Sequence, residues 1–417
     1  MATEEPDASE HTIEEEDNGR SNKTGDGSEI GSRAQVKSDS RSKRISRFSL
    51  RPKFGCLRVE SEKNGSVDMK VDLAGEPSDP THLVIMINGI IGSSQNWRFA
   101  AKRFLNKYPK DLIVHCSESN CSTLTFDGVD VMGDRLAEEV RSVIRRHSNV
   151  CKISFIAHSL GGLIARYAIA RLYEREPVKD ISQQNGDGTN DNFKESSTRE
   201  KFKGKIAGLE PMNFITSATP HLGSSGHKQV PVCCGLQTLE KIAASASWCL
   251  GRTGKHLFLT DNDEGKPPLL FRMASDCEDL RFISALECFE RRVVYANVRF
   301  DHIVGWSTSS LRRRHELPKL QLRSRDDKYP HIINVETAKT MSPVQVPSDI
   351  KFEGLKNANI EEEIIRGLMK VAWERVDVDF SGSIQRFLAH NTIQVKTYCI
   401  NSDGADVVEH MVDNFLL

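Results

Sequence analysis

The segment that most constrains the fold of this chain is 151–170, with the sequence CKISFIAHSLGGLIARYAIA. Its first part is a short apolar run rich in β-formers, as expected of a strand buried in a parallel sheet. Its second part repeats apolar residues at helical spacing, namely Leu160, Leu163, Ile164, Tyr167 and Ala168. The segment therefore predicts a strand, a sharp turn and a helix, with Ser159 at the turn.

The turn, Ala157-His158-Ser159-Leu160-Gly161, is a variant of the G-x-S-x-G pattern, in which a strained serine is exposed at the carboxyl end of a strand. The residues two before and two after the serine must be small, because strand and helix nearly touch there, and alanine and glycine meet that need. We predict that Ser159 is a nucleophile and that the Leu160 amide, at the helix N-terminus, stabilises an oxyanion. The alternative is a buried serine in an ordinary turn between a strand and a helix.

Strand and helix patterns alternate on both sides of this segment. Strands are predicted over 66–73, 81–87, 111–116, 212–218, 292–300 and 373–380, and helices over 97–108 and 131–147. This order predicts an α/β chain with a mostly parallel sheet that is covered by helices on both faces.

The loop after the strand at 81–87 reads Asn88-Gly89-Ile90. A glycine-containing loop at this place supplies the second oxyanion amide in hydrolases with a serine elbow. The backbone N–H of Ile90 is the predicted donor, and a plain glycine turn is the alternative.

Composition restricts the class of protein. The chain has 417 residues and a net charge of −1, which gives no reason to expect a nucleic-acid partner. Its ten cysteines are scattered without a C-x-x-C pair, so neither a zinc site nor a thioredoxin motif is indicated. No apolar run is long enough to cross a bilayer, and the acidic N-terminus lacks the apolar core of a secretory signal. We therefore expect a cytoplasmic protein with free thiols.

Three segments depart from the sheet pattern. Residues 1–53, acidic and then basic, are predicted to be disordered. The basic part, 41–53, is interpreted as a solvated linker, with weak attachment to an anionic membrane, a kinase site at Ser46 and a plastid transit peptide as alternatives. A polar insertion at 177–205 is also predicted to be disordered. Residues 230–250 carry a helical apolar stripe, and the segment 223–275 that contains them forms either a cap over the site or a surface helix packed on the core.

Five motifs occur together in one order: INGIIGSSQNW (87–97), AHSLGG (157–162), SATPHLGS (217–224), YANVRFDHIVGWSTSSLR (295–312) and LAHNTI (388–393). As an ordered set they resemble the putative serine-esterase, or lipase-like, family of α/β-hydrolases known from plants and fungi. The resemblance implies an α/β-hydrolase fold over 54–417 with a cap-like insertion. It also implies a Ser-Asp-His triad and hydrolysis of carboxylic esters of the acyl-lipid type, without a metal or organic cofactor.

The order serine, acid, histidine in α/β-hydrolases selects the other two triad members. Asp301 follows the strand predicted at 292–300 and is the acid position in the resemblance. His390 follows the last predicted strand on a loop, where it can take the Ser159 proton and return it to the leaving alcohol. Asp276 and Asp279 are less suitable because they lie in or next to a capping-box pattern, 275–278, in which Ser275 is predicted to open a helix. The competing histidines are less suitable by position: His158, His221 and His302. Arg312–Arg314, in a loop after the acid, are interpreted as a solvated turn, with contact to anionic head groups as the sharper alternative.

The preferred interpretation is a serine hydrolase that cleaves acyl esters through an acyl-enzyme. A lipid acyltransferase or a thioesterase with the same triad is an enzymatic alternative. A non-catalytic adaptor with a retained fold is the alternative from another class. The expected partner is a small-molecule or lipid ester, with peripheral membrane contact, while head group, chain length and oligomeric state are left open.

Overall fold

The computed structural model describes residues 56–61, 67–72, 79–175, 204–224, 250–262, 265–319, 327–338 and 357–417. All of them lie in one compact unit, Phe54–Leu417. The disorder predicted for 1–53 and for most of 177–205 falls outside the described residues, and so do residues 225–249 and 263–264 of the predicted cap, 223–275.

Nine strands of the described chain form one sheet in the order β1-β2-β4-β3-β5-β8-β9-β11-β10. Their bounds are β1 Cys56–Ser61, β2 Val67–Asp72, β3 His82–Ile87, β4 Leu112–Cys116, β5 Lys152–His158, β8 Glu210–Ser217, β9 Arg291–Asn297, β10 Ile332–Glu336 and β11 Glu374–Val378. The six strands from β4 to β11 in this order are mutually parallel, and antiparallel pairs flank them on both sides. A separate two-residue ribbon pairs β6 (Tyr173–Glu174) with β7 (Lys205–Ile206).

Helices connect the strands and cover the sheet. They are α1 Arg98–Lys107, α2 Val129–Arg146, α3 Leu160–Leu172, α4 Gly251–Leu257, α5 Leu269–Arg272, α6 Phe282–Glu287, α7 Trp306–Ser310, α8 Asn357–Leu368, α9 Ala389–Thr392, α10 Tyr398–Asn401 and α11 Ala405–Asp413. Short 3-10 turns lie at Ser94–Trp97, Ser122–Phe126, Arg314–Glu316, Arg386–Leu388 and Ser402–Gly404.

The core consists of two layers because successive side chains of a strand point to opposite faces. In β3, Leu83 and Ile85 join the layer that contains α2 and α3, whereas Val84 and Met86 join the layer that contains α1 and α11. Every residue of β3 is buried. This explains why the central strands are continuous apolar runs rather than alternating ones.

The predicted strands and helices are confirmed within a few residues, and strand order and helical layers are those of the α/β-hydrolase fold. Two strands of this sheet were missed: β1 adds antiparallel to β2 at one edge, and β10 adds antiparallel to β11 at the other. The sequence of β10, IINVE, is short and half polar, and only its partner makes it a strand. Among the described helices, none combines the length and the apolar character needed to span a membrane.

Candidate functional site

Ser159 lies between β5 and α3 in a backbone conformation that few non-glycine residues adopt, with φ 56° and ψ −129°. The turn is tight because β3 approaches it closely. A Cβ added to Gly161 would lie 2.6 Å from the carbonyl oxygens of Ile87 and Asn88, so the second small residue of the motif has a steric reason. The Thr219 hydroxyl, two residues after the end of the neighbouring strand β8, donates a 2.9 Å hydrogen bond to the Ser159 carbonyl and fixes the turn.

The three residues predicted to form the triad are brought together although 231 positions separate the serine and the histidine. His390 Nε2 lies 3.0 Å from Ser159 Oγ, and His390 Nδ1 lies 3.0 Å from Asp301 Oδ2. All three residues are buried. In this arrangement a proton on His390 Nδ1 is held by the carboxylate, which leaves Nε2 to accept the proton of the serine hydroxyl.

Hydrogen bonds surround the carboxylate of Asp301. The amides of Ile303 and Val304 donate to Oδ1 at 3.0 and 2.8 Å, and Asn297 Nδ2 donates to Oδ2 at 2.9 Å. Burial by itself would raise the pKa of Asp301, but the charge and hydrogen bond of His390 together with these donors lower it below the ordinary value. Asp301 is therefore ionised and oriented toward the imidazole.

Two details of the triad differ from the sequence predictions. Strand β9 ends at Asn297, not at Phe300, because its partner β11 ends at the paired Val378. A short turn then carries the chain to Asp301. His390 lies in the short helix α9 rather than in an irregular loop.

The loop 88–92 passes directly over the serine. A Cβ added to Gly89 would lie 2.8 Å from the Cβ of Ser159, so only glycine fits without movement. Asn88, which is buried, holds the loop by donating from Nδ2 to the carbonyls of Gly89 and Asn120 at 3.1 and 3.0 Å. Ile90 follows Gly89, and Leu160 opens α3, where an amide has no partner within its helix. Both predicted amide donors thus belong to segments adjoining Ser159.

Sequence reasoning missed the role of His158. Its Nε2 lies 2.6 Å from the carbonyl oxygen of His390, and the two ring centroids are 4.7 Å apart. Burial, followed by the nearby charge of His390, lowers the pKa of His158 well below its ordinary value. A neutral ring that contacts a carbonyl with Nε2 must carry its proton there, so His158 donates to the backbone of the triad histidine. Its place beside the nucleophile was the only sequence signal.

The competing residues have other partners. Asp276 accepts hydrogen bonds from the amides of Ile283 and Ser284, so it caps α6; the prediction that Ser275 opens this helix was wrong. His221 is fully buried and contacts Thr216 Oγ1 at 3.0 Å, and His302 is exposed.

The prediction that Arg312 belongs to a solvated turn was also wrong. Its guanidinium is buried and makes two hydrogen bonds to Asp377, at 2.7 and 3.0 Å. Asp377 also accepts from Trp306 Nε1 at 2.8 Å. The ion pair ties the segment after Asp301 to β11, and the sequence did not show it because the partner is 65 residues away.

Residues 77–311 match the protein family described as "Putative serine esterase (DUF676)". The chain is 31% identical over 239 residues to "Putative lipase ROG1" of Saccharomyces cerevisiae. The matched stretch covers 56% of this chain and 29% of that protein. It is 26% identical over 268 residues to "Putative lipase C4A8.10" of Schizosaccharomyces pombe, and this match covers 62% of this chain and 29% of that protein. The chain thus spans less than a third of the length of these two relatives.

Solved structures are similar at lower identity. Carboxyl esterase 2 of Tuber melanosporum is 10% identical with a TM-score of 0.40, over 88% of this chain and 89% of that one. The mature form of Bacillus licheniformis lipase BlEst2 is 13% identical with a TM-score of 0.30, over 57% of this chain and 74% of that one.

Proposed function

Because this chain belongs to the serine esterase family that its residues 77–311 match, we propose that it hydrolyses carboxylic esters of acyl lipids with Ser159, His390 and Asp301 as its triad. The observation that carries the proposal is the continuous hydrogen-bonded chain from Ser159 Oγ through the imidazole of His390 to Asp301. A serine held at positive φ on an elbow beside such an imidazole has the arrangement that nucleophilic catalysis requires.

The first half of the reaction forms an acyl-enzyme. Ser159 Oγ attacks the ester carbonyl while His390 Nε2 takes the hydroxyl proton. Asp301 orients the imidazole and stabilises its positive charge. The negative charge on the former carbonyl oxygen is held by the N–H groups of Leu160 and Ile90. The carbon–oxygen bond to the alcohol then breaks, and His390 delivers its proton to the departing oxygen.

The second half releases the acid. A water molecule gives a proton to His390 Nε2 and attacks the acyl carbon, and the same two amides hold the oxyanion again. The bond to Ser159 Oγ breaks and the proton returns to it from His390. Atoms and charges balance with the ester and water alone.

The acyl-lipid part of the proposal is supported by the relatives, two of which carry the word lipase in their names. Residues 225–249 of the predicted cap (223–275) lie outside the described residues, so the place of the cap over the acyl chain stays a prediction, as does the cytoplasmic location. Replacing Leu236 and Leu239 by Asp tests the cap. We expect turnover of long-chain esters to fall much more than turnover of acetate esters, and an equal loss on both would contradict the cap.

The central experiment is labelling of the purified chain with a fluorophosphonate probe, which reacts with activated serines. We expect the wild type and the Ser148→Ala variant, which changes an exposed loop serine, to label equally. The Ser159→Ala variant should not label. A folded wild type that fails to label, with and without detergent, would contradict the proposal and favour an adaptor that retains the fold.

A further inference from the structure

Large apolar side chains are exposed beside two members of the triad. One group lies in segment 300–303 around Asp301, and the other lies in segment 384–388 before His390. We define the apolar rim as the exposed side chains of Ile303, Ile384, Phe387 and Leu388 together with the half-buried Phe300. Ile384 is 99% exposed and Phe387 is 61% exposed, although both belong to a folded segment of the chain. Scattered single exposures are ordinary, but a contiguous exposed group is typical of a binding surface.

Two members of the rim, Phe300 and Phe387, contact each other and so connect the two segments. The rings of Phe300 and Phe387 meet edge to face at 5.5 Å between centroids. The guanidinium of Arg386 lies 4.9 Å from the centroid of Phe387 and 5.7 Å from that of Phe300. One surface therefore joins the turn that carries Asp301 to the segment that precedes His390.

The exposed charges within the two segments that carry the rim are positive. In segments 298–311 and 380–400 the only carboxylate is Asp301, which is buried against His390. Arg299, Arg386 and Lys396 are the partly or fully exposed cations of the same segments. The neighbouring acids Asp379 and Asp403 accept hydrogen bonds from Ser381 and Ser383. Exposed apolar side chains bordered by cations match a surface of anionic lipid, where acyl chains lie beneath phosphate groups.

We propose that the apolar rim docks the protein on anionic lipid bilayers. Ile384 and Phe387 insert at the boundary between head groups and acyl chains, and Arg386 contacts lipid phosphates. This inference rests on the proposed function in one respect: docking would bring the serine site to its water-insoluble substrate. It is separate from the basic segment 41–53, which lies outside the described residues.

The test is sedimentation of the full chain with vesicles of phosphatidylcholine alone and with vesicles that also contain phosphatidylserine. We expect the wild type to sediment with the second kind. The bound fraction should fall at least fivefold for Ile384→Ser and further for Ile384→Ser combined with Phe387→Ser. Arg386→Gln should reduce binding about fivefold only where phosphatidylserine is present. Val335→Ser, at an exposed position of the edge strand β10, is the matched control and should bind like the wild type.

Two further readouts separate the outcomes. The circular dichroism spectrum and the melting temperature of Ile384→Ser show whether the variant is folded, independently of ester turnover. We expect both to match the wild type, because the Ile384 side chain is 99% exposed. The Ser159→Ala variant should sediment like the wild type, so a failure of the proposed chemistry leaves the docking result intact and the reverse also holds.

Several results would overturn the docking proposal. A wild type that stays in solution with both vesicle types would overturn it. Rim variants that bind like the wild type would also overturn it, because binding would then arise elsewhere in the chain. A rise in soluble-ester turnover on Ile384→Ser would show that another part of this chain covers the rim. A change from dimer to monomer on the same substitution would show that a second copy covers it.

Discussion

His158 Nε2 donates a 2.6 Å hydrogen bond to the backbone carbonyl of His390, the residue whose ring contacts Ser159. Two consecutive residues of the elbow thus contact the same histidine, one at its main chain and the other at its ring. Burial keeps the His158 ring neutral, so the donated proton stays in this hydrogen bond through the physiological pH range. We infer that His158 is a positioning residue for the general base.

We expect His158→Phe to lower kcat about 10- to 100-fold with little change in KM, since losing a buried hydrogen bond costs about 1–3 kcal/mol and displaces the base. His158→Gln, which retains an N–H donor, should recover part of the loss. The measurement is kcat per active site, counted by fluorophosphonate labelling, together with its pH profile. If His158 served folding alone, its substitution would reduce the number of labelled sites and leave kcat per site unchanged. That result would contradict the inference.

The choice of acid can be tested with a matched pair of carboxylates. Asp301→Asn retains the shape of the side chain but cannot stabilise the imidazolium or hold its proton on Nδ1, so kcat should fall about 10³- to 10⁴-fold. Asp276→Asn changes the helix cap of α6 and should leave kcat at the wild-type level. Ester hydrolysis under saturating substrate measures both. Equal losses in the two variants would mean that Asp301 has no special role.

Adding one methyl group to Gly89 tests the role of the loop 88–92. Gly89→Ala would place its Cβ within 2.8 Å of Ser159 Cβ, so the loop that carries Ile90 must shift. We expect kcat/KM to fall about 100-fold or more, because removing one oxyanion donor costs about that much. Gly208→Ala is the control: its φ is +78° but its Cβ would meet no atom within 4 Å. It should lower stability by about 1–2 kcal/mol and leave kcat/KM unchanged.

The sequence predicted what local patterns determine. The strand ends at β3, β5, β9 and β11 located the oxyanion loop, Ser159, Asp301 and His390, because parallel strands present their carboxyl ends at one edge of a sheet. Contacts between distant polar residues were not predictable. The bonds of Arg312 to Asp377 and of His158 to the backbone of His390 depend on packing between elements that only the folded chain brings together.

A buried ionic cluster on strands β2 and β4 and helix α2 was missed for the same reason. His115 on β4 lies between two carboxylates: Nδ1 contacts Asp68 on β2, and Nε2 is 3.1 Å from Glu139 on α2. Arg146 Nη2 and His147 Nε2 also contact Asp68, at 2.9 and 3.0 Å. Burial alone would lower the pKa of His115, but its hydrogen bonds to the two carboxylates raise it from 6.5 to about 9.

This cluster predicts how stability depends on pH. A histidine whose pKa is raised on folding contributes stability that is fully present below about pH 6.5 and is lost as the pH rises through about 9. The shift corresponds to about 3 kcal/mol. The free energy of unfolding in urea should be measured at pH 6.5 and at pH 9. We expect His115→Gln to be less stable than the wild type at pH 6.5. On going to pH 9 it should lose less stability than the wild type loses. His315→Gln, at an exposed histidine, should retain the wild-type dependence. Identical pH dependence in the wild type and His115→Gln would show that His115 is not protonated in the folded protein.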